Sequence, residues 1–305
     1  MEKRPFGKTN LQVSVLGFGG APVGYLKTDY DRAASILNLL LDSGVNLIDT
    51  AASYPGSEEL IGTAVGHRRK DYVLVSKCGR EVPGVTGTDW SAPLIAQTID
   101  RSLRNCKTDR LDVMLLHSCD LATLKNGEAI GALVKARDAG KIRFAGYSGD
   151  NEAAAYAATI PDVAVIETSI NIADQANIET VLPAARRNNV GVIAKRPVAN
   201  AAWKDLAQQP GMYQNYARTY TERFQKMNLK LQDLGLKNAD WPEVALRFTL
   251  SQPGVSTAII GTTNPDNARS NIRYAQAGPL PPDPVQKIRT AFQNADPNHT
   301  WTGQT

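Results

Sequence analysis

Four residues of this chain, Asp49, Tyr54, Lys77 and His117, each stand at or just past the end of a short apolar run. The runs are Asn46-Leu47-Ile48-Asp49, with Tyr54 in the loop that follows, Tyr72-Val73-Leu74-Val75-Ser76-Lys77, and Val113-Met114-Leu115-Leu116-His117. A free tyrosine has a pKa of about 10 and is a poor acid at neutral pH, but a nearby cation stabilises its phenolate. Lys77 is the obvious cation. Asp49 pairs with it and holds it, because a buried lysine needs such a partner. His117 hydrogen-bonds the substrate oxygen. Tyr54 then donates a proton to a carbonyl oxygen as hydride arrives at the carbon, which is general acid catalysis. No side chain supplies hydride, so the chemistry calls for a cofactor. Any one of these residues alone is ordinary at a strand end. Four together are an active-site constellation: Asp49, Lys77 and His117 end successive strands and Tyr54 follows the first of them.

The elements that must position them alternate short apolar runs with amphipathic stretches. The spacing predicts a first strand at Val15–Gly19 and a helix at Tyr30–Ser43 that presents Ala33, Ile36, Leu37, Leu40 and Leu41 on one face. Further strands are expected at Leu47–Asp49, Tyr72–Lys77, Val113–His117, Phe144–Ser148, Val163–Ser169, Gly191–Lys195 and Thr257–Gly261, with helices between them. Strands each followed by a helix predict a closed parallel (β/α)8 TIM barrel, whose strand ends converge on one rim, as a single domain over residues 1–305. An open doubly wound sheet would want G-x-G-x-x-G after its first strand, and Gly17-Phe18-Gly19-Gly20 lacks the third glycine.

Two segments depart from a minimal barrel. Gly7-Lys8-Thr9-Asn10 reads as a turn between Pro5-Phe6 and Leu11-Gln12-Val13, predicting an N-terminal hairpin that caps the barrel bottom. The stretch 198–238 is too long for a simple connection and carries Trp203, Tyr213, Tyr216, Tyr220 and Phe224. It either covers a ligand on the catalytic rim or packs as an extra helix outside the barrel.

Of 305 residues, 42% are hydrophobic and the net charge is +4, which suits a globular chain with a large core and gives no case for nucleic acid or a membrane surface. Arg68-Arg69-Lys70, the one dense basic cluster, reads as a solvated helix end. No segment approaches the roughly 20 apolar residues of a membrane-spanning helix. The N-terminus lacks the apolar stretch of a signal peptide. Cys78, Cys106 and Cys119 cannot all pair and match no metal spacing, so no metal is expected and a cytoplasmic location is the simplest.

The sequence resembles the aldo-keto reductase family. Asp49-Thr50-Ala51-Ala52-Ser53-Tyr54-Pro55-Gly56-Ser57-Glu58 looks like its aspartate–tyrosine signature, and Leu111 to His117 like its histidine signature. Gly7-Lys8-Thr9 through Leu16-Gly17-Phe18-Gly19 is similar to its hairpin and first strand. The resemblance spans roughly Pro5 to Phe292 and implies a barrel that binds a nicotinamide dinucleotide, usually NADPH, without a Rossmann domain.

It also implies a cofactor site. Ser148 matches a residue that holds the carboxamide, whereas Gly149 replaces an asparagine. Glu167 stands where glutamine is usual and accepts, but cannot donate, a hydrogen bond. Lys195 replaces the tyrosine that stacks on the nicotinamide ring. Arg196 beside it offers a guanidinium for stacking, and two cations suit a pyrophosphate. Gly261, Thr262, Thr263 and Asn267 fall in the phosphate-binding loop and helix start, with Asn271 matching the closing asparagine. A cation for the 2′-phosphate is missing at the matching positions, which leaves NADH open beside NADPH.

Cys78 and Cys119 lie near the predicted rim, as redox thiols or as small apolar filling. His67 and His299 read as surface. Pro22, Trp90 and Trp203 are pocket walls or packing residues. The expected partner is a small-molecule carbonyl substrate, and the expected state a monomer or weak oligomer. The leading expectation is an NAD(P)H-dependent reductase of aldehydes or ketones. The alternatives are a cofactor-binding sensor or regulatory subunit and a sugar or polyol dehydrogenase.

Overall fold

Strands form where branched aliphatic residues run between polar turns, and each is too short to be stable alone. A computed structural model describes residues 1–26, 28–209 and 213–304, with the side chains of Gln208 and Tyr213 outside the described part. β1 (Lys3–Pro5) and β2 (Gln12–Ser14) form an antiparallel hairpin. β3 (Leu16–Gly19), β4 (Leu47–Asp49), β5 (Val73–Cys78), β6 (Leu111–His117), β7 (Ile142–Ser148), β8 (Val163–Ser169), β9 (Gly191–Lys195) and β10 (Thr257–Ile260) pair in parallel, and β10 closes the ring between β9 and β3. Helices alternate with these strands, so the expected (β/α)8 barrel is the fold. Strand ends differ from the sequence expectation by one or two residues, most at β6 and β7, where Leu111 and Ile142 already pair.

Successive residues of a strand face opposite sides. Leu47, Val75, Val113, Leu115, Val165, Ile193 and Ile259 therefore fill the barrel as one buried cluster. Their neighbours Ile48, Leu74, Met114, Leu116 and Ile166 pack outward against the helices. The helix Tyr30–Asp42 shows how those are built: the Asp29 side chain accepts from the Asp31 amide, and Ala33, Ile36, Leu37, Leu40 and Leu41 are its buried face.

The hairpin stoppers the lower end. Phe6 and Val13 belong to the inner cluster, and a Cβ at Gly191 would lie 2.6 Å from the Phe6 ring. Burying Phe6 contributes about 1.5–3 kcal/mol. The Lys8 amide donates to Asn189 O at 2.7 Å. Ser14 and Asn46 exchange two hydrogen bonds, Ser14 N–H to Asn46 Oδ1 at 2.6 Å and Asn46 N–H to Ser14 Oγ at 2.8 Å.

The long segment after β9 divides between the barrel's outside and the cavity mouth. Its helix Tyr213–Met227 joins the helices Trp241–Leu250 and Pro282–Ala295 in a second core outside the barrel. There Trp203 stacks on Trp241 at 6.2 Å, and Phe224 meets Trp241 edge-on at 4.8 Å. Val198, Asn200 and Tyr216 of the same segment instead face the cavity at the barrel mouth. Among the described residues no helix is long and apolar enough to cross a membrane.

Candidate active site

The two-residue period that fills the barrel also builds its rim. Asp49, Lys77, His117, Glu167, Lys195 and Gly261 each lie two positions beyond an inward-facing core residue, respectively Leu47, Val75, Leu115, Val165, Ile193 and Ile259. They form the next layer up. Tyr54 comes from the loop after β4, which stays paired beyond the strand: Thr50 N–H donates to Val75 O at 2.9 Å and Ala52 N–H to Lys77 O at 3.1 Å. The Thr50 hydroxyl donates to Ser57 Oγ at 2.8 Å, and Ser57 in turn to Gly20 O at 3.2 Å, which fixes this loop against β3.

Lys77 is buried and fully engaged. Its Nζ donates to Asp49 Oδ1 at 2.6 Å, Asp49 Oδ2 at 2.7 Å and Thr50 O at 3.0 Å, and Glu167 Oε2 lies 3.2 Å away. Two carboxylates thus surround one ammonium. Burial works against the charge on Lys77, but Asp49 and Glu167 outweigh it and hold the group protonated, above the ordinary lysine value. Burial and then Glu167 push the Asp49 carboxyl upward, while Lys77 pulls it down.

Lys77 Nζ sits 5.3 Å from the centre of the Tyr54 ring. It draws the phenol pKa down as expected, yet burial pushes it up by more, and Asp49 and Glu167 add to the rise. Tyr54 is therefore held as a phenol at neutral pH, a proton donor rather than a phenolate. His117 meets the Tyr54 ring edge-on at 5.9 Å, and its Nδ1 is 3.3 Å from Ser53 Oγ. Burial, followed by the fields of Lys77, Lys195, Arg80 and Arg196, depresses the imidazole far below its usual pKa, so it is neutral. A neutral imidazole whose Nδ1 faces a hydroxyl leaves Nε2 for a substrate oxygen.

Ser148 donates from Oγ to Glu167 Oε1 at 3.3 Å, whereas Glu167 Oε2 is buried without a hydrogen bond. Gly149 has a local cause: a Cβ there would lie 2.4 Å from the Tyr147 hydroxyl, which is buried and donates to Cys119 O at 2.7 Å. Of the two cations suited to a pyrophosphate, Lys195 is paired within the chain, its Nζ 3.0 Å from Asp150 Oδ2. Asp150 also accepts from Thr168 Oγ1 (2.8 Å), the Ser169 amide (2.7 Å) and Asn177 Nδ2 (2.8 Å). Burial raises the Asp150 carboxyl, but Lys195 and the Ser169 amide outweigh it and leave it below the usual carboxylate value. Arg196 is held by Ser169 Oγ at 2.8 Å, the Gln304 carbonyl, and Tyr216, over whose ring the guanidinium lies at 4.6 Å, with the charge of Asp150 acting on it as well.

These groups enclose a cavity of about 360 Å³ lined by Asp49, Tyr54, His117, Ser148, Glu167, Lys195, Arg196 and Gly261. Pro22 is a wall, as expected. Trp90 instead packs on Gly79, and Trp203 lies in the second core. A Cβ on Gly261 would meet Pro22 Cδ at 2.4 Å and Gly19 O at 2.5 Å, so glycine there lets the chain after β10 pass close to the end of β3. Thr262, Thr263, Asn267 and Asn271 do not line this cavity. Thr262 Oγ1 accepts from the Asn264 amide at 3.1 Å, Asn264 caps the helix Pro265–Gln276, and Asn271 is buried within that helix. Cys78 and Cys119 are buried, with burial pushing the Cys119 thiol up to about 12, so both act as filling.

Sequence reasoning missed Ser53, Asp150 and Tyr25. Ser53 lay inside the quoted signature without a role. Asp150 directly follows Gly149, yet nothing local marks it as the partner of Lys195. Tyr25 meets the Tyr54 ring edge-on at 5.6 Å and lines the mouth together with Tyr216.

The chain matches the model of the aldo/keto reductase family over residues 15–292. It is 28% identical to the uncharacterized oxidoreductase YqkF of Bacillus subtilis, over 95% of this chain and 96% of that one. It is 27% identical to a probable voltage-gated potassium channel subunit beta of Arabidopsis thaliana, over 96% and 97% of the two chains. Among solved structures, the holo form of aldo-keto reductase AKR11C1 from Bacillus halodurans superposes with a TM-score of 0.80 at 28% identity, covering 95% of this chain and 96% of that one.

Proposed function

This chain belongs to the aldo/keto reductase family of NAD(P)-dependent oxidoreductases, and from that membership we propose that it reduces an aldehyde or ketone to an alcohol with Tyr54 as proton donor. The observation that carries this reading is the half-buried Tyr54 phenol, set between the His117 ring at 5.9 Å and the Lys77–Asp49 ion pair, with Lys77 Nζ 5.3 Å from its ring centre, at one cavity. Asp49 orients Lys77. Lys77 favours the negative charge left on Tyr54 after proton transfer. His117 directs the carbonyl oxygen toward Tyr54.

The nicotinamide cofactor, when bound, supplies the hydride. The residues fit it: Glu167 Oε2 is a buried acceptor without a hydrogen bond, suited to the carboxamide NH2. Ser148 would hold the carboxamide beside Glu167. Arg196 would face the pyrophosphate, with Lys195 as its neighbour. Gly261, Thr262, Thr263, Asn267 and Asn271 would run along the adenosine end. NADPH is the proposed dinucleotide by family habit, with NADH second. The protein acts on a small carbonyl compound as a monomer or weak oligomer.

The likeness to a channel β-subunit favours one other reading, a cofactor-binding regulatory subunit with little turnover. Oxidation of NADPH and of NADH by the purified protein, followed at 340 nm with para-nitrobenzaldehyde, separates the two. Steady turnover establishes the reductase and ranks the cofactors. Cofactor binding without turnover on this and a panel of simpler aldehydes overturns it.

A further inference from the structure

Glu167 is one carboxylate more than the Lys77 site needs. Asp49 already satisfies the ammonium through both oxygens, at 2.6 and 2.7 Å, and the Thr50 carbonyl takes a further contact at 3.0 Å. Glu167 approaches the same nitrogen at 3.2 Å through an oxygen that makes no hydrogen bond. Its other oxygen accepts from Ser148, the residue proposed to hold the carboxamide. Both Ser148 and Glu167 line the cavity. A neutral amide in this position would complete the same contacts without the charge. We propose that Glu167 selects the oxidised form of the nicotinamide, and that its negative charge biases this site toward carbonyl reduction.

The inference rests on the nicotinamide reading given above. In the reduction, a hydride leaves the reduced ring with both electrons of its C–H bond and forms a C–H bond at the carbonyl carbon. The π electrons of the carbonyl move onto oxygen, which takes the Tyr54 proton, and the ring is left with one positive charge. A carboxylate beside the ring is attracted to that charge and indifferent to the neutral ring that precedes it. Interaction with only one of two states shifts the equilibrium between them. The same carboxylate repels a Tyr54 phenolate, which is the base that alcohol oxidation requires. Both effects oppose the oxidative direction.

The test is binding of the two redox forms, measured separately for the full chain and its Glu167→Gln variant by calorimetric titration with NADP+ and NADPH, and with NAD+ and NADH. The wild type should bind the oxidised form at least as tightly as the reduced form. In Glu167→Gln the ratio should move toward the reduced form by about tenfold, equivalent to about 30 mV for a two-electron couple. Ser148→Ala, which keeps the charge, should weaken both forms and leave their ratio unchanged. If both forms bind and the ratio is the same in wild type and Glu167→Gln, the inference fails and the proposed function stands. A wild type that strongly prefers the reduced form overturns it even if the variant does not fold. If neither form binds to the wild type, the nicotinamide reading falls and the inference with it.

Discussion

Asp49 grips the Lys77 ammonium with both carboxylate oxygens, and the two side chains are 2% and 0% exposed. Such a pair holds geometry more than it adds stability, because desolvation of the ions offsets much of their attraction. Removing one partner is another matter. Lys77→Met would strand Asp49 and Glu167 together without a cation and should lower the unfolding free energy by about 3–5 kcal/mol. Asp49→Asn should have a smaller effect, since Glu167 still faces the ammonium. Urea denaturation of both variants checks the order.

Tyr54→Phe removes the proton donor and little else, because the ring contacts to Tyr25 and His117 do not use the hydroxyl. Turnover should fall by about 10²–10⁴, the usual contribution of general acid catalysis. Cofactor affinity, measured by fluorescence quenching, should stay within about twofold. Undiminished turnover would remove Tyr54 from the mechanism.

The pH profile follows from two opposed shifts. His117 titrates well below its ordinary 6.5, and Tyr54 above its ordinary 10.0. Reduction needs neutral His117 and protonated Tyr54, so kcat/KM should be flat from pH 6.5 to pH 10 with no histidine step. Stability has its own sign. Below pH 6.5 the unfolded chain binds a proton that His117 in the folded chain refuses, so the folded state loses stability as the pH falls. A His117→Asn variant should flatten that part of the stability curve.

Gly149 is dictated by Tyr147. Gly149→Ala sets a methyl carbon 2.4 Å from the Tyr147 hydroxyl and 2.6 Å from its ring, so the ring must move. The expected loss is about 1–3 kcal/mol, as for overpacking elsewhere. Thermal unfolding of Gly149→Ala alone and combined with Tyr147→Leu tests it, and the double variant should recover part of the loss.

The barrel and its rim were legible because strand periodicity is local. Once Leu47, Val75 and Leu115 read as core, Asp49, Lys77 and His117 had to face the same way one layer higher. The hairpin was legible for a similar reason, since its turn lies between two apolar pairs. The partners of the rim were not. Asp150 and Lys195 meet across two strands, and Glu167 reaches Lys77 across the barrel, which only closure brings about. The 198–238 segment divides between cavity and outer core according to which side chains meet Trp241 and which meet Arg196, contacts that no spacing within the segment records. Thr262 and Thr263 matched a signature, but the local duty of Thr262 is the helix start at Asn264.

The hairpin plug makes the barrel a blind well. With Phe6 and Val13 closing one end, the described residues open the cavity around Tyr54 at the other, where Tyr25 and Tyr216 line the mouth. A well of this shape predicts a sequence: of two molecules bound together, the one against the floor beside Glu167 should arrive first and depart last.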